Sequence, residues 1–159
     1  MSKIFSDIEH QFDMLSCMIS QLSDENYMKR GNHINSIGSH VRHVLEYVQI
    51  LITADLNESV DYSKRQRDIN IETKRTYALE FINELKGQVV KADHPVSILE
   101  ESEILQSSYL REMLYMHEHI VHHCAILRVE LESLDEFKVD PCFGFAKSTL
   151  KHLESHVSA

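Results

Sequence analysis

Apolar residues recur at the spacing of amphipathic helices in the first third of the chain. Steps of three and four positions run through residues 3–25 and again through residues 36–54, which predicts a helix in each range. A polar stretch with Gly31 separates them, and Asn35 or Ser36 can cap the second helix. The apolar members are Ile4, Ile8, Phe12, Leu15, Ile19 and Leu22 in the first stripe, and Ile37, Val41, Val44, Leu45, Val48, Leu51 and Ile52 in the second.

Two more helices are predicted in the second half of the chain. Thr73 can cap a third helix over residues 74–91, and a long fourth helix is expected over residues 107–134. Residues 55–72, between the second and third helices, lack a clear period and are expected to form a loop. A loop of this length in a compact domain is uncommon and often has a function.

The remaining segments are short. Residues 94–101 could be extended, and residues 140–153 are expected to begin as a turn and end in a short helix. Four amphipathic helices in one chain predict an all-α fold, a four-helix bundle, in a single domain over residues 1–159. The loop between the second and third helices is long enough to cross the bundle. The pattern therefore does not decide whether the helices alternate in direction. Two such bundles can bury an apolar helix face together, so a homodimer is expected.

Composition and charge exclude several classes of function. The formal net charge of −9 repels phosphate backbones, so no nucleic-acid partner is expected. No apolar run is long enough to span a bilayer, and the N-terminal segment MSKIFSDIEH lacks the apolar core of a signal peptide. We therefore predict a cytoplasmic protein without a membrane partner. Cys17, Cys124 and Cys142 lack CxxC spacing, which argues against a disulfide framework or a zinc knuckle.

Histidine is the unusual residue, with 11 in the chain and four in the stretch HEHIVHH at residues 117–123. His119 and His123 lie one turn apart on the same face of the fourth predicted helix, where two imidazoles can bind one cation. His40 or His43 on the second helix could supply a third ligand, which leaves a coordination position open. Spacing alone also allows ordinary packing or surface histidines, because pairs four residues apart arise readily in a histidine-rich helix.

Three segments, taken in order, resemble the DinB/YfiT-like family of small bacterial metalloenzymes. They are SIGSHVRHVLEY (36–47), EHIVHHCAI (118–126) and FGFAKSTLKHL (143–153). The resemblance extends over nearly the whole chain, in helix lengths and helix order, and includes the loop segment DYSKRQRD. It implies a four-helix bundle with up-down-down-up wiring and a bound divalent metal, with zinc or nickel as the first candidates.

The same resemblance implies metal ligands and a reaction. The ligands by this pattern are His43, His119 and His123, whereas His40 and His122 are additional histidines that could replace a ligand in a shifted register. Characterised relatives of the DinB-like group include transferases and isomerases that depend on low-molecular-weight thiols. The implied function is therefore a metal-dependent, thiol-using S-transferase or detoxification enzyme that acts on a small molecule. A metal-dependent hydrolase, or a non-catalytic bundle that binds a metal or a small molecule, is the alternative.

Other polar residues near the predicted site could take part in chemistry. Glu112 lies two turns before the HxxxH pair and, as a catalytic residue, could orient a ligand imidazole or accept a proton. Arg65 and Arg67 in the basic segment DYSKRQRD could bind a carboxylate or another anionic group of the substrate or thiol cofactor. Solvated side chains would give the same pattern at all three positions. Tyr47, one turn beyond His43, could line the pocket, but it is interpreted as a half-buried aromatic residue.

Overall fold

The computed structural model of the chain describes residues 2–30, 35–134 and 137–157. These residues are mostly helical, as predicted, and they also contain a small three-stranded sheet that the all-α prediction lacked. The helices are α1 (Lys3–Gln21), α2 (Asp24–Met28), α3 (Ile37–Thr53), α4 (Ile69–Thr73), α5 (Arg75–Lys86), α6 (Tyr109–Glu132) and α7 (Lys147–Val157). The strands are β1 (Ser59–Val60), β2 (Pro95–Glu100) and β3 (Glu103–Ser108), and a short 3-10 turn spans Tyr62–Lys64.

Side-chain caps explain where several helices begin. α3 begins after Ser36, whose hydroxyl accepts a hydrogen bond from the Ser39 amide at 3.1 Å, so the predicted second helix is confirmed. The predicted first helix is instead divided into α1 and α2, because Ser23 accepts a hydrogen bond from the Asn26 amide and starts a new helix. α6 begins after the cap Ser108, since the residues before it pair as a strand.

The sheet forms from the predicted loop, from the segment expected to be extended, and from residues 103–108, of which only the last two lie in a predicted helix. β1 lies within the predicted loop and pairs in parallel with β2, with Val60 opposite Ile98. β2 and β3 form an antiparallel hairpin with Leu99 opposite Ile104. The sequence pattern missed the sheet because β1 has only two residues and the first four residues of β3 are all exposed. β3 packs against α6, and residues of β2 and β3 line a cavity together with Glu112 and Tyr115 of α6.

The long helices share one core. α1 and α3 each pack against both α5 and α6. The ring centroids of Phe5 and Tyr109, in the first turns of α1 and α6, are 6.4 Å apart, so these two helices begin at the same end of the fold. Fully buried side chains from all four helices include Phe12, Leu45, Ile82 and Met113.

α3 runs in the opposite direction to α6. His40, near the start of α3, contacts His123 of α6. Tyr47 lies further along α3 and contacts His119, which comes earlier in α6. This antiparallel register brings the histidines of the two helices to one level.

α5 runs in the opposite direction to α1. Arg75 at the start of α5 donates a hydrogen bond to Asp24, just beyond the end of α1, at 3.0 Å. Lys86 at the end of α5 forms an ion pair with Asp13, in the middle of α1. Because α1 and α6 begin at the same end, α3 and α5 are both antiparallel to α1 and α6.

Two polar contacts fasten the segment 61–73 to α3. The side chain of Glu46, only 1% exposed, accepts a hydrogen bond from the Asp68 amide at 2.6 Å. Arg42, one turn earlier in α3, donates to the carboxylate of Glu72 at 2.5 Å. Both anchors flank the face of α3 that carries the histidines, so the segment lies beside the candidate site.

None of the helices in the described ranges has the length and apolar character of a membrane span. The predicted cytoplasmic location, single domain and homodimer stay predictions. The polar stretch with Gly31 lies outside the described residues.

Gly38 in α3 allows a test of the close packing between α3 and α4. A Cβ atom at this position would lie 2.0 Å from the carbonyl oxygen of Glu72 and 2.9 Å from a ring carbon of Tyr27. Because these neighbours would have to move, we expect Gly38→Ala to lower the free energy of unfolding by about 1–3 kcal/mol. Chemical denaturation of the purified variant measures this loss.

Gly87→Ala is the matched control for this substitution. A Cβ atom there would meet only the carbonyl oxygen of Glu84, at 3.5 Å, and the backbone φ of −68° suits alanine. We expect this variant to be as stable as the unmodified protein, or more stable by about 0.4–1 kcal/mol. Equal losses in the two variants would contradict the close approach of α4 to Gly38.

Candidate metal centre

Three histidines from two antiparallel helices converge beside the core. His43 comes from α3, and His119 and His123 come from successive turns on one face of α6. Each offers a ligand atom within 4.8 Å of the others, and the Nε2 atoms of His43 and His119 are 3.1 Å apart. Nitrogen ligands lie about 2.0–2.1 Å from a zinc ion, so small ring rotations would let all three bind one ion. These three partly buried residues form the histidine cluster.

Burial keeps the histidine cluster neutral at physiological pH. Burial, which is the largest cause, and the neighbouring imidazole of His119 together lower the pKa of His43 to about 4. Burial is also the largest cause that lowers the pKa of His119 to about 4 and the pKa of His123 to about 3. A metal binds the neutral imidazole, so an ion at this position would displace no protons from the three rings near pH 7.

His40 and Glu130 stand behind His123. The Nδ1 atoms of His40 and His123 are 3.3 Å apart, so one ring donates a hydrogen bond to the other. The Nε2 atom of His40 lies 3.8 Å from Oε1 of Glu130, and both side chains are nearly buried, with 11% and 10% exposed. This arrangement leaves Nε2 of His123 to bind an ion. It also matches the common pattern in which the second nitrogen of a ligand histidine is held by a polar neighbour.

Aromatic rings and one arginine cover another side of the histidine cluster. The Tyr47 ring stacks on His119 with centroids 4.6 Å apart, and it also contacts His43. The guanidinium carbon of Arg65 lies 4.6 Å from the centre of the Tyr47 ring, and Tyr62 stacks on the same ring with centroids 5.2 Å apart. Arg65 donates a hydrogen bond to the Tyr62 carbonyl oxygen at 2.8 Å, which fixes the guanidinium in this position.

Two predicted site residues lie apart from the histidine cluster. Arg67 is exposed, has a left-handed backbone with φ of 54°, and forms no hydrogen bond or ion pair with the cluster in the described structure. Glu112 is 7% exposed, but its carboxylate accepts hydrogen bonds from Ser107 at 2.6 Å and Tyr62 at 3.0 Å. It makes no described hydrogen bond to His119. The structure therefore brings Arg65 beside the cluster and leaves Glu112 behind Tyr62.

Several residues that shape the site were not singled out for that role by the sequence. Tyr47 was interpreted as an ordinary aromatic, although its position four residues after His43 placed it on the same helix face. Glu130 follows His123 by seven residues, which is two helical turns, and this spacing could have identified it. Glu46 gave no signal, because its contact is with a backbone amide 22 residues away in the chain.

No family model, curated protein or solved structure matches this chain. The resemblance to the DinB/YfiT-like family therefore rests on the sequence features alone, namely the three quoted segments, the helix lengths and order, and the loop segment DYSKRQRD. The ligands, the metal and the reaction that it implies stay predictions, and the geometry of the described residues is the independent observation that bears on them.

His40 and Glu130 can be tested as supports of a ligand. His40 contacts His123, and Glu130 lies on the far side of the His40 ring. Because this pair supports the orientation of His123, we expect His40→Phe and Glu130→Gln each to weaken zinc binding by about 10–100-fold while the protein still binds zinc at saturation. Competition with a chromophoric chelator measures the affinity. His122→Ala is the control, because His122 is exposed on α6 and is not a member of the histidine cluster.

Two results would contradict this interpretation of His40. An unchanged affinity would mean that its contact with His123 has no effect on the ligand. Loss of all binding at saturating zinc would mean that His40 is itself a ligand.

The low pKa values also predict how stability depends on pH. In the unfolded chain these histidines bind protons near their ordinary pKa of 6.5, but His43 and His119 in the folded protein do so only near 4. The unfolded state therefore binds more protons in this interval, so the metal-free protein should lose stability as the pH falls from about 6.5 to about 4. Denaturation midpoints across this range measure the loss.

His123→Gln should make this dependence shallower. The variant lacks the ring whose pKa is lowered to about 3, so it removes one of the three contributions. Identical slopes for the metal-free variant and the metal-free unmodified protein would show that burial of the cluster does not cause the acid sensitivity.

Proposed function

We propose that this protein is a metal-dependent enzyme of the DinB/YfiT-like family. In this proposal α1, α3, α5 and α6 form the four-helix bundle with up-down-down-up wiring. The pairwise packing of the four helices supports it, as does the antiparallel course of α3 against α6 and of α5 against α1. The hairpin of β2 and β3 is then an addition between the third and fourth bundle helices, and β1 comes from the connection between the second and third.

The observation that carries the proposal is the convergence of His43, His119 and His123 within 4.8 Å. Three neutral nitrogen donors suit zinc or nickel, and three protein ligands leave at least one position for a substrate or cofactor. A divalent ion bound there would lower the pKa of a coordinated thiol or water and polarise an electrophile. Oε1 of the nearly buried Glu130 carboxylate has no hydrogen-bond partner among the described residues. It lies 3.8 Å from Nε2 of His40, so Glu130 could support the ligand His123 through His40.

The surrounding residues bind and orient rather than react. Arg65 is the candidate for an anionic group of the substrate or of a low-molecular-weight thiol, because its planar guanidinium suits a carboxylate. Stacking on Tyr47 holds the guanidinium beside the ring that itself stacks on His119. Arg67 belongs to the same segment and would act only on a larger ligand that extends beyond Arg65.

We favour transfer of a thiol to a small electrophile as the reaction. The site has an anion-binding candidate beside a metal position, which fits a carboxylate-bearing thiol. Hydrolysis by the same centre is the second candidate reaction, and a bundle that binds a small molecule without catalysis is the third.

Metal analysis and an activity panel test this function together. The zinc- or nickel-loaded protein should contain about one ion per chain and should accelerate the transfer of glutathione, bacillithiol or mycothiol to small electrophiles. Replacing both His119 and His123 by Ala should remove the metal and the activity, because only one ligand of the cluster remains. His10→Ala, at an exposed position of α1, should retain both.

The alternatives give different results in the same panel. Metal-dependent cleavage of esters or amides without a thiol would support the hydrolase. Small-molecule binding that a chelator does not change, with no turnover, would support the non-catalytic bundle. Metal retained in the double variant would contradict the ligand assignment itself.

A further inference from the structure

A cavity of about 510 Å³ lies between α6, the hairpin of β2 and β3, and the turn at Tyr62. Its aromatic and aliphatic walls include Tyr62, Tyr115, Ile98 and Leu105. The centroids of the Tyr115 and His119 rings are 6.0 Å apart. Tyr115 therefore separates the cavity from the histidine cluster. It is a separate space that the proposed metal chemistry does not use.

Glu112 forms part of the inner wall of this cavity and has no cationic partner in the part of the chain that the structure describes. Glu112 is 7% exposed, and among the described residues its carboxylate accepts hydrogen bonds only from the neutral hydroxyls of Ser107 and Tyr62. None of the ion pairs formed within residues 2–30, 35–134 and 137–157 includes Glu112. Burial and the nearby carboxylate raise the pKa of Tyr62, so this hydroxyl remains a hydrogen-bond donor. Buried carboxylates are usually paired with a cation, and here the cavity is the open side from which one could come.

We propose that this cavity binds the ammonium group of a small organic amine, with Glu112 as its ionic partner. Each carboxylate oxygen of Glu112 has already accepted one hydroxyl and has a second lone pair for an N–H donor. The faces of Tyr62 and Tyr115 can stabilise the same cation, and Ile98 and Leu105 can pack against an apolar body.

The charges that line the cavity agree with a cationic ligand. Glu100 and Glu112 contribute two carboxylates, whereas Arg111 contributes one guanidinium. The excess of negative charge attracts an amine. Arg111 could also bind a carboxylate on the same molecule, which an amino-acid-like ligand would carry.

The cavity is close enough to the histidine cluster for one ligand to reach both. Glu112 precedes His119 by seven residues of one helix, a rise of roughly 10 Å. An amine of this reach could hold its ammonium at Glu112 and its reactive group near the histidine cluster, and this part of the inference rests on the proposed function. Binding of the ammonium itself requires no metal.

Metal-free protein and two probes of equal size test the proposal. Benzylammonium should bind more tightly than benzyl alcohol by about 10-fold or more, because only the ammonium pairs with the carboxylate. Glu112→Gln should abolish this preference and leave the affinity for benzyl alcohol unchanged. Calorimetry or NMR titration measures both affinities, and the resonances of Tyr115 should shift with benzylammonium.

Ser107→Ala is the matched control. It removes one hydroxyl partner of Glu112 but keeps the carboxylate, so the preference for the ammonium should persist or increase. Equal affinity of the unmodified protein for the two probes would overturn the proposal, and this comparison does not depend on the folding of any variant. A preference that survives in folded Glu112→Gln would also overturn it, because the amine would then bind elsewhere.

Failure of the metal centre is a separate result. Metal-free protein that prefers benzylammonium through Glu112 supports the amine site even if the purified protein never retains a metal. A metal-binding protein without this preference would retain the proposed metal function and would lose the amine site.

Discussion

The antiparallel packing of α3 on α6 is the constraint on which the site depends. Polar residues follow one face of each helix, and the opposite directions of the helices bring them to matching levels. The facing residues are Tyr47, His43 and His40 on α3, and His119, His123 and Glu130 on α6. The hydrogen bonds between His43 and His119 and between His40 and His123 satisfy ring nitrogens that the surrounding apolar core would otherwise leave unpaired. A change of direction or register in either helix would separate the three imidazoles.

A second constraint is the attachment of the segment 61–73 to α3. The buried carboxylate of Glu46 holds the Asp68 amide, and Arg42 holds Glu72. This attachment sets Arg65 against the Tyr47 ring and brings the Tyr62 hydroxyl to Glu112. The segment 61–73 therefore contributes residues both to the surroundings of the histidine cluster and to the wall of the neighbouring cavity. A ligand that displaced this segment would alter both sites together.

The hydrophobic period predicted the long helices. The histidine spacing predicted that His119 and His123 would meet a histidine of the second helix, and the family resemblance selected His43 over His40. These predictions succeed because α3 and α6 are long, and because residues three or four apart on a helix face share a neighbour. Short elements could not be predicted in the same way. The division at Ser23, the two-residue strand β1 and the exposed strand β3 depend on local hydrogen bonds rather than on a period. Glu112 was selected by its helix face, but the sequence could not show that Tyr62, 50 residues earlier, would stand between it and the cluster.

The central claim is that His43, His119 and His123 bind one divalent ion through their ring nitrogens. A crystal grown from protein purified with zinc, with diffraction recorded on both sides of the zinc absorption edge, tests it most directly. We predict one anomalous peak per chain, at about 2.0–2.1 Å from a nitrogen of each of the three rings and with an open position towards Arg65. No peak at this position, or a peak bound by His40 or His122 in place of one of the three, would contradict the account.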